Sequence, residues 1–102
     1  MNDLEEKNEL DTRYEVLKIA LQEQNLSDFR ENFLELHIYE QGQFYESLTE
    51  KERAQMYSYL SPKELADMFD SLEEDEDALK EYLEEMRPSY AAAMLSAMYT
   101  DN

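Results

Sequence analysis

The densest chemistry in the sequence is a run of carboxylates, "EEDED", from Glu73 to Asp77. It lies within a stretch between Lys63 and Lys80 that holds eight acids and no base. Hard divalent cations take oxygen ligands, and Mg²⁺ often binds through one or two carboxylates plus waters. The run lacks the glycine and the terminal glutamate spacing of an EF-hand loop. The preferred reading is a solvated turn whose carboxylates favour the positive end of the helix that follows.

Other constellations are thinner. His37 is the only histidine, so the chain cannot form a His–His metal pair. A Ser-His-Asp array would have to use that one residue, and nothing around it suggests a nucleophile elbow. A role at a helix junction is expected of it instead. With a single glycine there is no glycine-rich phosphate loop, and with no cysteine there is neither a thiolate nucleophile nor a cysteine zinc site. Tyr45, Tyr57 and Tyr82 sit at apolar stripe positions, where core packing with the hydroxyl at the edge is expected. The chain is read as not an enzyme, with no catalytic residue.

The elements that must position these groups are helices. The chain has 102 residues, 42% of them apolar, with one glycine and two prolines. That is room for one domain with a modest core. Leucine, glutamate, alanine and methionine are abundant and all favour helix, so the fold class is all-α. The formal net charge of −17, from 26 acids against 9 bases, makes nucleic acid and anionic lipid poor partners. Basic proteins or cations match better. The start "MNDLEEKNELDTR" is not a signal peptide, and no window approaches the length of a membrane span, so this segment is not expected to enter the membrane.

A repeat organises the helices. Leu36, Leu48, Leu60 and Leu72 recur every twelve residues, and after two extra residues Met86 and Met98 resume the step. The sixth position after each marker is small, at Gly42, Ala54, Ala66, Ala78 and Ala92. Apolar pairs follow, as in Phe44/Tyr45, Met56/Tyr57 and Met68/Phe69. The shifted pair Tyr82/Leu83 places the extra residues between Ala78 and Tyr82 or just before Ala78. Thr49 with Glu52 and Ser61 with Glu64 spell capping boxes, and Pro62 fits a first helical position. Helices this short are unstable alone, so each must bury its stripe against its neighbours. The pattern predicts a stack of short antiparallel helices, with the small residues where helices approach. Upstream, Leu26, Phe29, Phe33 and Leu36 predict one more helix, and Leu10, Tyr14, Leu17 and Leu21 a longer capping one. The expected boundaries are 1–24 for that cap and 25–102 for the repeat domain.

From about Leu26 onward the sequence resembles the cytosolic N-terminal domain of MgtE-type magnesium transporters. The phrases "FLELH", "LSPKELADMF" and the closing Met-x-x-Asp carry the likeness. Ile38 stands where family members usually have proline. The resemblance implies a right-handed superhelix of short helices, followed in the intact protein by a CBS domain pair and a homodimeric membrane pore. It implies Mg²⁺ as a regulatory ion, held between this domain and its CBS partner and favouring the closed channel. Asp101 matches the first aspartate of the family's interdomain motif and is the candidate metal ligand, with Asn102 where a second acid is common. The sequence stops there, which this reading takes as truncation before the last repeat and the CBS domains. The implied location is the cytoplasmic side of the cell membrane. The alternative is a metal-independent interaction module resembling the armadillo-type domains of the flagellar motor switch.

Overall fold

Side chains that accept hydrogen bonds at helix starts divide the chain into short helices. In the structure, a computed structural model describing residues 2–72 and 74–99 (side chains for 9–72 and 74–98), all regular structure is helical. The helices are α1 (Asn2–Gln22), α2 (Leu26–Glu35), α3 (Ile38–Glu46), α4 (Glu50–Tyr59), α5 (Pro62–Asp70), α6 (Glu76–Glu85) and α7 (Pro88–Tyr99). The fold class is therefore all-α, as the composition predicts.

Both expected capping boxes are present. Thr49 Oγ1 accepts from the Glu52 amide while Glu52 accepts from the Thr49 amide, and Ser61 and Glu64 do the same with Pro62 in the first turn. A third box was not foreseen. His37 caps α3 with Nδ1 accepting from the Tyr39 amide, and Glu40 closes the box on the His37 amide. The junction role expected of the histidine is thus a cap, formed without the family's usual proline. The described part of the acid run is cap and helix start: Asp75 accepts from the Ala78 amide, and Glu76 and Asp77 lie in the first turn of α6. The two extra residues of the repeat fall before Ala78, where Ser71 to Asp75 separate α5 from α6 while Ser47 to Thr49 separate α3 from α4.

The contacts fall into two compact units, Met1–Leu36 and His37–Asn102. In the first, α1 packs on α2 through Leu17, Ala20 and Leu21 against Phe29 and Phe33, whose rings stack at 5.3 Å. Leu26, predicted to share the buried stripe of α2, is 46% exposed, because it opens the helix at its first residue. Between α1 and α2 the chain reverses through Gln24 at φ 57°, with the Asn25 amide bonded back to the Ala20 carbonyl at 2.8 Å. That is a left-handed helix end of the kind glycine favours.

In the second unit the closest packing joins next-but-one helices, α3 with α5 and α5 with α7. This corrects the expectation that every small sixth residue marks a crossing. Gly42 and Ala66 are buried, Ala78 is half-buried, and Ala54 and Ala92 are exposed. A Cβ on Gly42 would stand 3.0 Å from Leu72 Cδ2, so α3 needs a small residue there. The partner pairs alternate in the same way: Phe44/Tyr45 and Met68/Phe69 are fully buried, whereas Tyr57 and the pair Tyr82/Leu83 are half-buried. The twelve-residue period of the sequence therefore becomes, from α3 to α6, a structural unit of two unequal helices.

Two predictions test this. Gln24→Gly is expected to raise stability by about 0.5–1 kcal/mol, because the left-handed backbone suits glycine; a lower melting temperature would contradict that turn. Ala66→Leu is expected to cost about 1–3 kcal/mol by overpacking, and Ala54→Leu less than about 0.5 kcal/mol. Equal losses in thermal melts would remove the alternation.

Candidate functional site

The most connected group of polar side chains centres on a pair, Arg53 and Glu85, that sequence reasoning did not single out. Arg53, in the second turn of the capped helix α4, reaches Glu85 at the end of α6 through a two-pronged contact. Its Nε donates to Glu85 Oε1 at 2.9 Å and its Nη2 to Oε2 at 2.6 Å. Its Nη1 donates to the Leu48 carbonyl at 2.6 Å, tying the α3–α4 turn to the same centre. Tyr57 O–H donates to Glu85 Oε1 at 2.9 Å. Since that uses the Tyr57 proton, the 2.6 Å contact between the Tyr45 and Tyr57 hydroxyls has Tyr45 as donor. The Arg53 guanidinium also lies 5.1 Å from the Tyr82 ring centre and 5.9 Å from that of Tyr45. Tyr45, Tyr82 and Phe69 meet edge to face at 4.9–6.3 Å.

The electrostatics follow from burial. Withdrawal from water alone would push the Glu85 carboxyl up; the hydrogen bonds from Arg53 and Tyr57, together with the charge of Arg53, outweigh it and hold Glu85 below the usual carboxylate range. Arg53 is raised, first by its bond to Glu85. Burial is the main cause that pushes the Tyr45 and Tyr57 phenols up, so both stay protonated at any physiological pH. No buried side-chain nitrogen or oxygen among the described residues lacks a partner. The cluster is saturated with its own bonds and acts as a clamp. Beside it, a cleft of about 410 Å³ is lined by Ala54, Tyr57, Ser58, Glu85, Arg87 and Tyr90. Tyr90, pushed up to about 12 chiefly by burial, donates to the Leu60 carbonyl at 2.8 Å and so ties α7 to the α4–α5 junction.

Of the residues chosen from sequence, the tyrosines Tyr45, Tyr57 and Tyr82 are brought together, and the acids and His37 are not. Asp101, the candidate metal ligand, and its neighbour Asn102 lie outside the described residues, as does Glu73. Glu74, Asp75, Glu76 and Asp77 are exposed along the α5–α6 turn and the start of α6. His37 is exposed and occupied as a cap. Tyr45, Tyr57 and Tyr82 do pack in or near the core, with Tyr45 fully buried, hydroxyl included in the network rather than left at an edge. Among the described residues no group of three or more His, Cys, Asp or Glu side chains is placed to hold a metal ion. A divalent cation meeting these residues would find one or two carboxylates at a time, a set that suits Mg²⁺ only with other ligands or waters completing its shell. One signal could have exposed the clamp. Arg53 occupies the fifth position of its repeat, where Gln41 and Leu65 are both buried, so a cation there needs an internal partner. Nothing comparable marks Glu85.

Removing Glu85 leaves Arg53 without its carboxylate in a half-buried place, so Glu85→Ala is expected to cost about 1–3 kcal/mol. Because the folded carboxyl is depressed, its contribution is present above the unfolded value of 4.5 and is lost as pH falls through the lower folded value. Chemical denaturation of Glu85→Gln should accordingly show a shallower loss of stability below about pH 4.5 than the parent. A parent and variant with parallel pH profiles would mean that the clamp contributes nothing.

The comparisons with known proteins agree with one another. The magnesium transporter MgtE of Enterococcus faecalis (strain ATCC 700802 / V583) is 60% identical over 89 residues, covering 87% of this chain and 20% of that protein. A solved structure described as the crystal structure of the soluble part of a magnesium transporter matches with a TM-score of 0.85 at 61% identity, over 90% of this chain and 36% of that one. The chain thus spans about a fifth of the curated relative and about a third of the solved chain. No helix of the described residues is long and apolar enough to cross a membrane. The family described as the MgtE intracellular N domain matches residues 36–102, well over half of the sequence, and the chain belongs to that family.

Proposed function

We propose that the chain is the Mg²⁺-sensing regulatory domain of a magnesium transporter, on the cytoplasmic side of the cell membrane. In this reading it docks against a CBS domain pair of the same polypeptide when Mg²⁺ is bound and so favours the closed state of a homodimeric pore. The observation that carries the proposal is charge. A net −17 on 102 residues is concentrated in places such as the exposed Glu74–Asp77 stretch, which repels other acidic surfaces. A hard divalent cation between two such surfaces removes that repulsion by screening or by coordination. Gating then requires only that Mg²⁺ bind the docked arrangement more tightly than the undocked one.

This domain contributes rigid placement and carboxylates, of which Asp101 is the proposed direct ligand. The remaining ligands would come from the partner domain and from water. The clamp of Arg53 and Glu85 keeps the helices that carry the acidic surface in register, and its own carboxylate is engaged too fully to bind an ion. The identity of the relatives, both described as magnesium transporters or part of one, supports this reading over a metal-independent interaction module of the flagellar motor switch type. It also supports transport regulation rather than catalysis.

The test compares two polypeptides by small-angle scattering, this chain and the longer one with its natural downstream domains. Millimolar-scale Mg²⁺ should give this chain a weak, partly ion-specific gain in thermal stability. The longer polypeptide should compact on Mg²⁺ addition, in a way that sodium at matched ionic strength does not reproduce. An unchanged radius of gyration in the longer polypeptide would refute the sensor and leave the metal-independent module as the better account.

A further inference from the structure

The cleft of about 410 Å³ beside the clamp has a wall and a rim of different chemistry. Tyr57, Tyr90 and Glu85 are half-buried and make its deeper wall, while Ala54, Ser58 and Arg87 are exposed at its rim. The two tyrosine rings stand 5.9 Å apart and are tilted by 50°. Tilted aromatic pairs of this kind accept a further flat ring, edge to face or offset. Ala54 holds the slot that is small throughout the repeat, and with only a methyl group there the rim stays open.

In a chain with 26 acids against 9 bases, the expected occupant of a tyrosine-lined cleft beside a carboxylate is a cation. The bonding argues the other way. Glu85 is already neutralised by Arg53, with both of its oxygens engaged. The Tyr57 proton goes to Glu85, that of Tyr90 to the Leu60 carbonyl and that of Ser58 to the Gln55 carbonyl. Glu64, the acid whose charge acts on Tyr90, accepts from the Ser61 amide. Arg87 is the one polar lining side chain with no hydrogen bond or ion pair among the described residues. Its guanidinium is a planar fork of donors that matches a carboxylate. With Arg53 and Arg87 set against Glu85, the site is locally cationic within a chain of net charge −17.

We propose that this cleft is a binding site for a small planar carboxylate, with its ring against Tyr57 and Tyr90 and its carboxylate paired with Arg87. The ring takes the half-buried wall and the anion stays at the exposed rim, so no charge is buried without a partner. The site spans α4 and the α6–α7 junction, elements that the Arg53–Glu85 pair and the Tyr90 bond already hold together. A ligand there binds the folded stack and not the unfolded chain. It therefore stabilises the stack by mass action, with no magnesium ion involved.

Benzoate is the probe, titrated into the 102-residue chain in divalent-free buffer at fixed ionic strength and followed by ¹H–¹⁵N NMR. The amide signals of Ala54, Ser58 and Tyr90 and the Nε signal of Arg87 should move together and saturate in the millimolar range. Benzamide keeps the ring without the charge, and acetate keeps the charge without the ring. Each should bind at least about threefold more weakly than benzoate. Arg87→Gln should bring benzoate down to the level of benzamide. Ala54→Leu fills the opening, so it should abolish the saturable shifts while the rest of the spectrum stays in place. A benzoate titration that never saturates at these residues overturns the site. So does an Arg87→Gln variant that binds benzoate as tightly as the parent, or a parent that prefers benzylammonium to benzoate.

Discussion

The half-buried ion pair between Arg53 and Glu85 is the constraint on which the second unit depends. A half-buried guanidinium beside two tyrosine rings, with its carboxylate at 2.6 Å, is tolerable there because each prong has a partner. That requirement fixes more than two side chains. It sets the height of α4 against α6 and holds the α3–α4 turn through the Leu48 carbonyl. It also dictates which way the Tyr45 and Tyr57 protons point. An apolar pair of the same volume could match its stability, but would not impose one register on helices with so little surface to bury. In a stack of short helices, register is what the hydrophobic stripes specify least.

The second constraint is close approach. Because α3 meets α5 and α5 meets α7, most of the buried side chains of this unit lie on α3 and α5, while α4 and α6 carry the ion pair and the half-buried Tyr57 and Tyr82. This division explains why one repeat unit reads Met68/Phe69 and its neighbours read Met56/Tyr57 and Tyr82/Leu83. The Tyr57 hydroxyl finds its bond at Glu85, and that of Tyr90, on α7, at the Leu60 carbonyl.

Helix starts were legible in the sequence because capping is local. Thr49, Ser61 and Pro62 each state their role within four residues, and the acid run declares itself a turn by the helix it precedes. The recurrence of Leu36, Leu48 and Leu60, all buried, was legible for the same reason. The alternation was not, since Ala54 and Ala66 are the same letter in the same slot and differ only in which helix lies opposite. Nor was the clamp: Glu85 is one of 26 acids, and only its distance from Arg53 in space separates it from the others. His37 was legible as a junction residue but not as a cap, because an imidazole acceptor is outside the usual capping set. The proposed ligand Asp101 lies where sequence resemblance alone speaks.

The uneven spacing of the helices has a consequence for how such a chain can vary. Where Leu60 and Ser61, or Met86 and Arg87, alone separate two helices, both residues serve as a helix end or the next helix's start, and an added residue would rotate everything that follows. The α5–α6 turn already holds two residues more than its counterpart between α3 and α4, with exposed side chains from Glu74 onward. Lengthening an exposed loop costs little entropy. This turn is therefore the place where a reporter group or a short insertion would disturb the stack least, and where family members of different lengths would diverge first.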